Sequence, residues 1–185
     1  MTRALVIVDI QNDYFPGGRN PLEGPEEAAA HARELLDAFR ASGEPVVHIQ
    51  HVWDAPDAAF MAPGSAGVEI HETVRPATGE TVFQKANPNS FLDTPLEGHL
   101  RDAGISSLVV CGMMTSMCVD ATVRAAVDLG FGTTLAHDAC ATMPLEFGGR
   151  SIPAADVHTA FVAALADGYA EVLPTADIAS AKAGR

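Results

Sequence analysis

The stretch Ser107-Leu108-Val109-Val110-Cys111-Gly112-Met113-Met114-Thr115-Ser116-Met117-Cys118-Val119-Asp120-Ala121-Thr122 changes its periodicity part-way. Ser107 to Cys111 is a short apolar, β-branched run of the kind a parallel sheet buries on both faces. Gly112 to Met117 turn the chain. From there Cys118, Thr122, Ala125 and Leu129 step by four, three and four, the spacing of one helix face. Gly130 ends that helix, and Thr133 to Ala136 reads as the next strand. A strand, a helix and a second strand in succession make a right-handed crossover unit of parallel sheet.

The same alternation runs outward to both ends. Leu5 to Val8 reads as a buried strand closed by Asp9, and a loop rich in Gly, Pro and Asn follows from Asn12 to Pro25. Pro25-Glu26-Glu27 is a proline-led acidic first turn; Ala28, Ala32, Leu35 and Phe39 then share a face until Gly43. Val46 to Val52 is a second strand. The irregular segment Trp53 to Gly79 is long for a compact domain, a length that commonly marks function. Thr81-Val82-Phe83 forms a third strand that delivers Lys85, and Asn87-Pro88-Asn89-Ser90 breaks it. Thr94 as N-cap and Pro95 as first residue open a helix to about Asp102. Pro153 starts a last long helix with Val157, Phe161 and Ala164 on one face, Ala170 to Leu173 is a final strand, and Ala179 to Arg185 reads as a frayed tail. The pattern predicts one α/β domain over residues 1–178, a three-layer, doubly wound sheet with helices on both faces.

Composition narrows the function. With 24 acidic against 11 basic residues the formal charge of the 185-residue chain is −13, which repels nucleic acid and anionic lipid at long range. A hydrophobic fraction of 48% places the chain among globular proteins. No apolar run approaches the roughly 20 residues of a membrane helix, and the first is too short for a signal peptide, so a cytoplasmic protein is expected. Cys111, Cys118 and Cys140 are odd in number, so at least one is a free thiol in the monomer.

Ligands of such sheets bind beyond the carboxyl ends of the strands. Asp9, Lys85 and Cys118 fall there, read as three adjacent strand ends. A helix N-terminus at Cys118 would favour a thiolate, with Asp9 as a base and Lys85 as a nearby cation. Taken singly, Cys118 also fits a small core residue, Asp9 a cap and Lys85 a solvated charge. Together they make a nucleophilic site.

Three segments carry a resemblance. Val8-Asp9-Ile10-Gln11-Asn12-Asp13-Tyr14, Lys85 ahead of Pro88-Asn89-Ser90-Phe91, and Cys111 through Thr122 resemble the isochorismatase-like cysteine hydrolases, relatives of nicotinamidases and carbamoylsarcosine amidases. The resemblance implies a six-stranded, mostly parallel sheet, a catalytic triad of Asp9, Lys85 and Cys118, and a cis peptide between Met113 and Met114. It implies backbone N–H groups of Met114 and Cys118 as the oxyanion donors. The reaction implied is hydrolysis of a carbon–nitrogen bond in a small molecule through a thioester, without a cofactor, in a homodimer or homotetramer.

Gln11, Tyr14, Asn89, Phe91 and Thr115 are candidate substrate contacts, each with a packing or turn role as the alternative. Trp53 or Phe60 would close a wall. Metal-binding nicotinamidases carry an Asp-x-His pair after the second strand. Here His48 and His51 point to opposite faces and Asp54 follows His51, so no metal site is expected, and His71 stands apart. Cys111 and Cys140 read as buried bystanders, and Asp120, Thr122 and Arg124 as braces. Two other functions fit the same residues: an isochorismatase-type vinyl ether hydrolase using Asp9 as acid without Cys118, and a catalytically silent binding or assembly protein.

Overall fold

Along the first strand, β1 (Thr2–Val8), successive side chains enter two different cores. Leu5 and Ile7 join the cluster on one face, Ala4, Val6 and Val8 that on the other, which is what an apolar strand does at the centre of a covered parallel sheet. The computed structural model describes residues 2–181. In chain order the elements after β1 are α1 (Pro25–Ser42), β2 (Val46–His51), β3 (Thr81–Lys85), α2 (Leu96–Asp102), β4 (Ile105–Met113), α3 (Asp120–Asp128), β5 (Gly132–Ala141), β6 (Leu145–Phe147), β7 (Arg150–Ile152), α4 (Ala154–Gly168), β8 (Glu171–Leu173) and α5 (Thr175–Ser180).

Six strands form one sheet in the order β3-β2-β1-β4-β5-β8, every pairing parallel. Helices α1 and α5 cover one face: Ala28, Leu35 and Phe39 of α1 and Ile178 of α5 are buried in its core. The other face is covered by α2, α3 and α4, through Leu96, Leu100, Val123 and Leu165 among others. The strand order reverses between β1 and β4, whose carboxyl ends therefore open a crevice. Their approach is close: a side chain at Gly112, where φ is +134°, would place its Cβ 2.0 Å from the Val8 carbonyl oxygen.

Several expectations need correction. β3 and β1 are not neighbours; β2 lies between them. β5 runs on to Ala141, and the segment after it contains the exposed hairpin of β6 and β7, turned by Gly148 and Gly149 at positive φ. Ala179 and Ser180, placed in a frayed tail, end α5. That helix forms because Thr175 N–H and Oγ1–H both donate to Asp138 Oδ1 at 2.8 Å and Ile178 is buried. The rest of the tail, 182–185, lies outside the described residues. Thr94 does not cap α2 directly; Pro95 holds that position. Among the described residues no helix is long and apolar enough to cross a membrane.

The segment between β2 and β3 contains two short 3-10 turns and is pinned rather than loose. The buried Asp13 carboxylate accepts from Met61 N–H at 2.6 Å and from Arg19 N–H at 3.0 Å. Gly67 passes so near it that a Cβ would lie 2.1 Å from Asp13 Oδ1. The Val68 carbonyl accepts from both Gln11 and Gln50.

Candidate active site

Asp9 stands one residue beyond β1 with φ of +50°, a left-handed conformation rare for a residue with a side chain. The turn points the carboxylate into the crevice, where Lys85 Nζ lies 2.7 Å from Oδ2 with both side chains at 0% exposure. Lys85 is the last residue of β3, and its ammonium has three donors to satisfy. The ammonium is ion-paired with Asp9 Oδ2 and donates to the Asn87 carbonyl at 3.0 Å and to His51 Nδ1 at 3.1 Å. Among the described residues neither Asp9 oxygen has a geometrically aligned hydrogen-bond donor, and Oδ1 lacks even the ion-pair contact that Oδ2 makes, which leaves the buried carboxylate open to a proton from the site.

Cys118 approaches from the other side. It lies in a wide, π-helical turn, Thr115–Val119, that joins β4 to α3, and the N–H groups of Met117 and Val119 both donate to the Met114 carbonyl. The Met113–Met114 peptide bond is cis. One ligand atom each of Asp9, His51 and Cys118 lies within 4.8 Å of the others. Such a carboxylate, imidazole and thiol set suits a soft divalent ion. The Lys85 ammonium, however, is already ion-paired with Asp9 and hydrogen-bonded to His51, and supplies the positive charge there.

The expected thiolate is not the resting form. Cys118 precedes α3 and is buried; burial first and the Asp9 carboxylate second push its thiol well above the ordinary range, against the opposing pull of Lys85. Burial likewise holds His51 below its ordinary value, with Lys85 as the second cause, so this imidazole is neutral near pH 7. Tyr14 is a neutral phenol for the same reasons, burial followed by the negative charge of Asp9.

A cavity of about 330 Å³ opens over the sulfur. Tyr14, Trp53 and Phe60 form an aromatic wall, Trp53 meeting Phe60 edge-on at 5.3 Å between centroids. Ala86, Pro88, Met114 and Met117 complete the apolar lining, and His51 faces the same space as Cys118. Of the candidate contacts, Tyr14 and Trp53 are in this wall. Gln11 lies beneath it: its side chain donates to the His51 carbonyl and accepts from the His51 N–H, both at 2.8 Å. Asn89 caps the Phe91 N–H, Phe91 stacks on Phe131 in the core, and Thr115 bonds His158. His48 is buried against Glu80, His71 stacks on Phe15, and Asp54 is exposed. Thr122 hydroxyl meets Ser90, Arg124 pairs with Asp120, and all three cysteines are free. The strand order makes His51 part of the cluster: as the last residue of β2, it fills the space between Lys85 and Asp9.

Residues 3–177 match the family model described as an isochorismatase domain. The chain is also 51% identical over 175 residues to an uncharacterised isochorismatase family protein, YddQ of Bacillus subtilis, covering 95% of this chain and 97% of that one. The chain belongs to the isochorismatase family. Streptothricin hydrolase of Streptomyces noursei is 38% identical over 177 residues, covering 94% of this chain and 69% of that protein. In three dimensions the isochorismatase-family fold superposes on a putative isochorismatase hydrolase from Oleispira antarctica with a TM-score of 0.94 and 48% identity, covering 97% of each chain. The protein is thus an isochorismatase-family hydrolase with a six-stranded parallel sheet.

Proposed function

We propose that this isochorismatase-family hydrolase cleaves a carbon–nitrogen bond of a small amide-type substrate with Cys118 as nucleophile. The observation that carries the reading is the buried Asp9–Lys85 pair beside the Cys118 sulfur at the floor of an apolar cavity. A buried ion pair is a costly thing to keep for stability alone, and this one is placed where a proton must move.

The resting site holds a neutral thiol and a carboxylate. As sulfur attacks the substrate carbonyl, Asp9 takes the S–H proton, so charge passes from carboxylate to substrate oxygen without an isolated thiolate. The oxyanion is received by the backbone N–H groups of Met114 and Cys118, donors of a type each worth about 3 to 4 kcal/mol of barrier. Lys85 stays an ammonium, holding Asp9 in place. The protonated Asp9 gives its proton to the leaving nitrogen, the C–N bond breaks, and a thioester remains. A water then enters, Asp9 takes one of its protons, the hydroxyl adds to the thioester carbon, and the C–S bond breaks. Asp9 returns the proton to sulfur, releasing the acid.

The test is a panel of small neutral amides with wild type, Cys118→Ala and Asp9→Asn, read by amine release and by intact-protein mass after rapid acid quench. The proposal expects an acyl adduct on the wild type and none on Cys118→Ala, with both variants inactive. Turnover that survives Cys118→Ala but not Asp9→Asn would select the ether-hydrolase chemistry instead. No turnover across the panel would favour a silent binding role.

A further inference from the structure

His51 is placed with unusual care for a residue outside the triad. Its backbone is gripped at both N–H and carbonyl by the Gln11 amide, at 2.8 Å each. Its Nδ1 lies 3.1 Å from Lys85 Nζ. An ammonium can only donate, so Nδ1 accepts, and the neutral ring then carries its proton on Nε2. Among the described residues no protein group hydrogen-bonds Nε2, while the ring lines the cavity with Cys118. In a lining otherwise dominated by aromatic rings, methionines, alanine and proline, a ring that carries an N–H without a protein partner calls for an acceptor on whatever fills the cavity.

The cavity also says what that ligand lacks. Among the described residues no lysine or arginine side chain lines it, and the Lys85 ammonium is already engaged by the Asp9 carboxylate, the Asn87 carbonyl and His51. A carboxylate in such a space would be buried without a counter-charge.

We propose that His51 is the substrate-orienting residue of the site, its Nε2–H donating to a lone pair near the scissile carbonyl of an uncharged substrate while its Nδ1 fixes the Lys85 ammonium. This rests on Cys118 being the acylated nucleophile. The ring has two separable duties. Asn in place of His keeps an acceptor near the position of Nδ1 and deletes the far donor; Gln reaches to where Nε2 lies and gives up the near acceptor.

The probes are two esters of equal size, p-nitrophenyl methoxyacetate and p-nitrophenyl butyrate, which differ by an ether oxygen in place of a methylene beside the reacting carbonyl. Acylation of wild type, His51→Asn and His51→Gln is followed as the p-nitrophenol burst, beside the rate of Cys118 alkylation by iodoacetamide at pH 8. The ratio of kcat/KM values for the two esters corrects for their intrinsic reactivities when variant is compared with wild type. His51→Asn is expected to lower the methoxyacetate preference about tenfold, the scale of one hydrogen bond, with an unchanged alkylation rate. His51→Gln is expected to hold the preference and change the alkylation rate. An unchanged ester ratio in His51→Asn overturns the orienting role, as does an equal loss of both esters in both variants, the mark of a purely structural residue. Should one variant not fold, the other still decides, because each moves a different readout. Absence of any burst in the wild type, or a burst that persists in Cys118→Ala, instead defeats the nucleophile reading itself.

Discussion

Lys85 Nζ lies 2.7 Å from Asp9 Oδ2, and neither side chain has any surface exposed to solvent. The pair joins the ends of strands that are not adjacent, so it fastens β3 to β1 across the end of β2. Removing one member strands the other charge in a dry interior. Asp9→Asn and Lys85→Met are each expected to cost about 3 to 5 kcal/mol of stability. The double substitution should cost clearly less than the two losses added together. Urea denaturation of the three variants measures this, and simple additivity would show that the pair is not coupled.

The thiol prediction follows from burial. Because Cys118 is held protonated, iodoacetamide should label it slowly at pH 6 and faster as pH rises above 8. Cys111 has no exposed surface and burial raises its thiol, so it should not react in the folded protein, whereas Cys140 lines a separate cavity and burial pushes it up to about 12, so it should react only slowly. Peptide mass spectrometry after timed labelling reads all three sites; rapid, complete labelling of Cys118 at pH 6 would contradict the neutral-thiol ground state.

Acid should destabilise the protein in two stages. Burial lowers His48, His51, His71 and His158 below the ordinary 6.5, so in the window just under that value the unfolded chain binds more protons than the folded one. Stability from these groups is complete above about pH 6.5 and falls as pH drops through the window. Glu80 acts lower down. The Arg40 hydrogen bond chiefly, helped by Ala77 N–H and His48, pulls it to about 2, so its contribution is present above 4.5 and is lost as pH falls toward 2. Tm by calorimetry should decline from pH 7 to 5 and again from 4.5 to 3. A Tm that is flat between 7 and 5 removes the histidine account.

Gly112→Ala tests the crevice. The added carbon would meet the Val8 carbonyl at 2.0 Å, at a φ of +134° that only glycine adopts readily, and both contacts are backbone in the central strand pair. A loss of more than about 3 kcal/mol is expected, enough to leave little soluble protein. An Ala variant with wild-type Tm would mean that β1 and β4 part more easily than their packing indicates.

In the aromatic wall Phe60 packs against the core and Trp53 is its more exposed member. Trp53 is 39% exposed and meets Phe60 edge-on, so Trp53→Ala should cost only about 1 kcal/mol of stability, less than truncation of a core aromatic. Its effect should appear in substrate capture: KM rises several-fold while kcat changes little, since the ring lines the cavity and the proposed chemistry falls to Cys118. A fall in kcat with KM constant would place Trp53 in the chemical step.

Read along the chain, strand and helix periodicity is enough for the α/β class, and it puts Asp9, Lys85 and Cys118 at strand ends because buried parallel strands are local, apolar and abruptly terminated. The hairpin of β6 and β7 escapes that reading, since its residues are exposed and carry no apolar pattern; its signal is the Gly148-Gly149 pair, suited to a two-residue turn with positive φ. Thr115, Asn89 and Phe91 sit within recognisable motif segments yet serve His158, a turn and the core, because closeness in sequence to a nucleophile does not fix the direction of a side chain.

The order of amino acids by itself determined which segments are strands and helices, which faces are apolar, and hence the layered sheet, with Asp9, Lys85 and Cys118 at or after the ends of its first, third and fourth strands. Only the tertiary structure decided that β2 lies between β3 and β1, bringing His51 into the site, and that Cys118 rests as a thiol. The physical reason is that strand order and loss of hydration are properties of the assembled chain: they depend on what packs alongside a residue in space, and residues far apart in sequence, such as Lys85 and His51 at 34 positions, supply it.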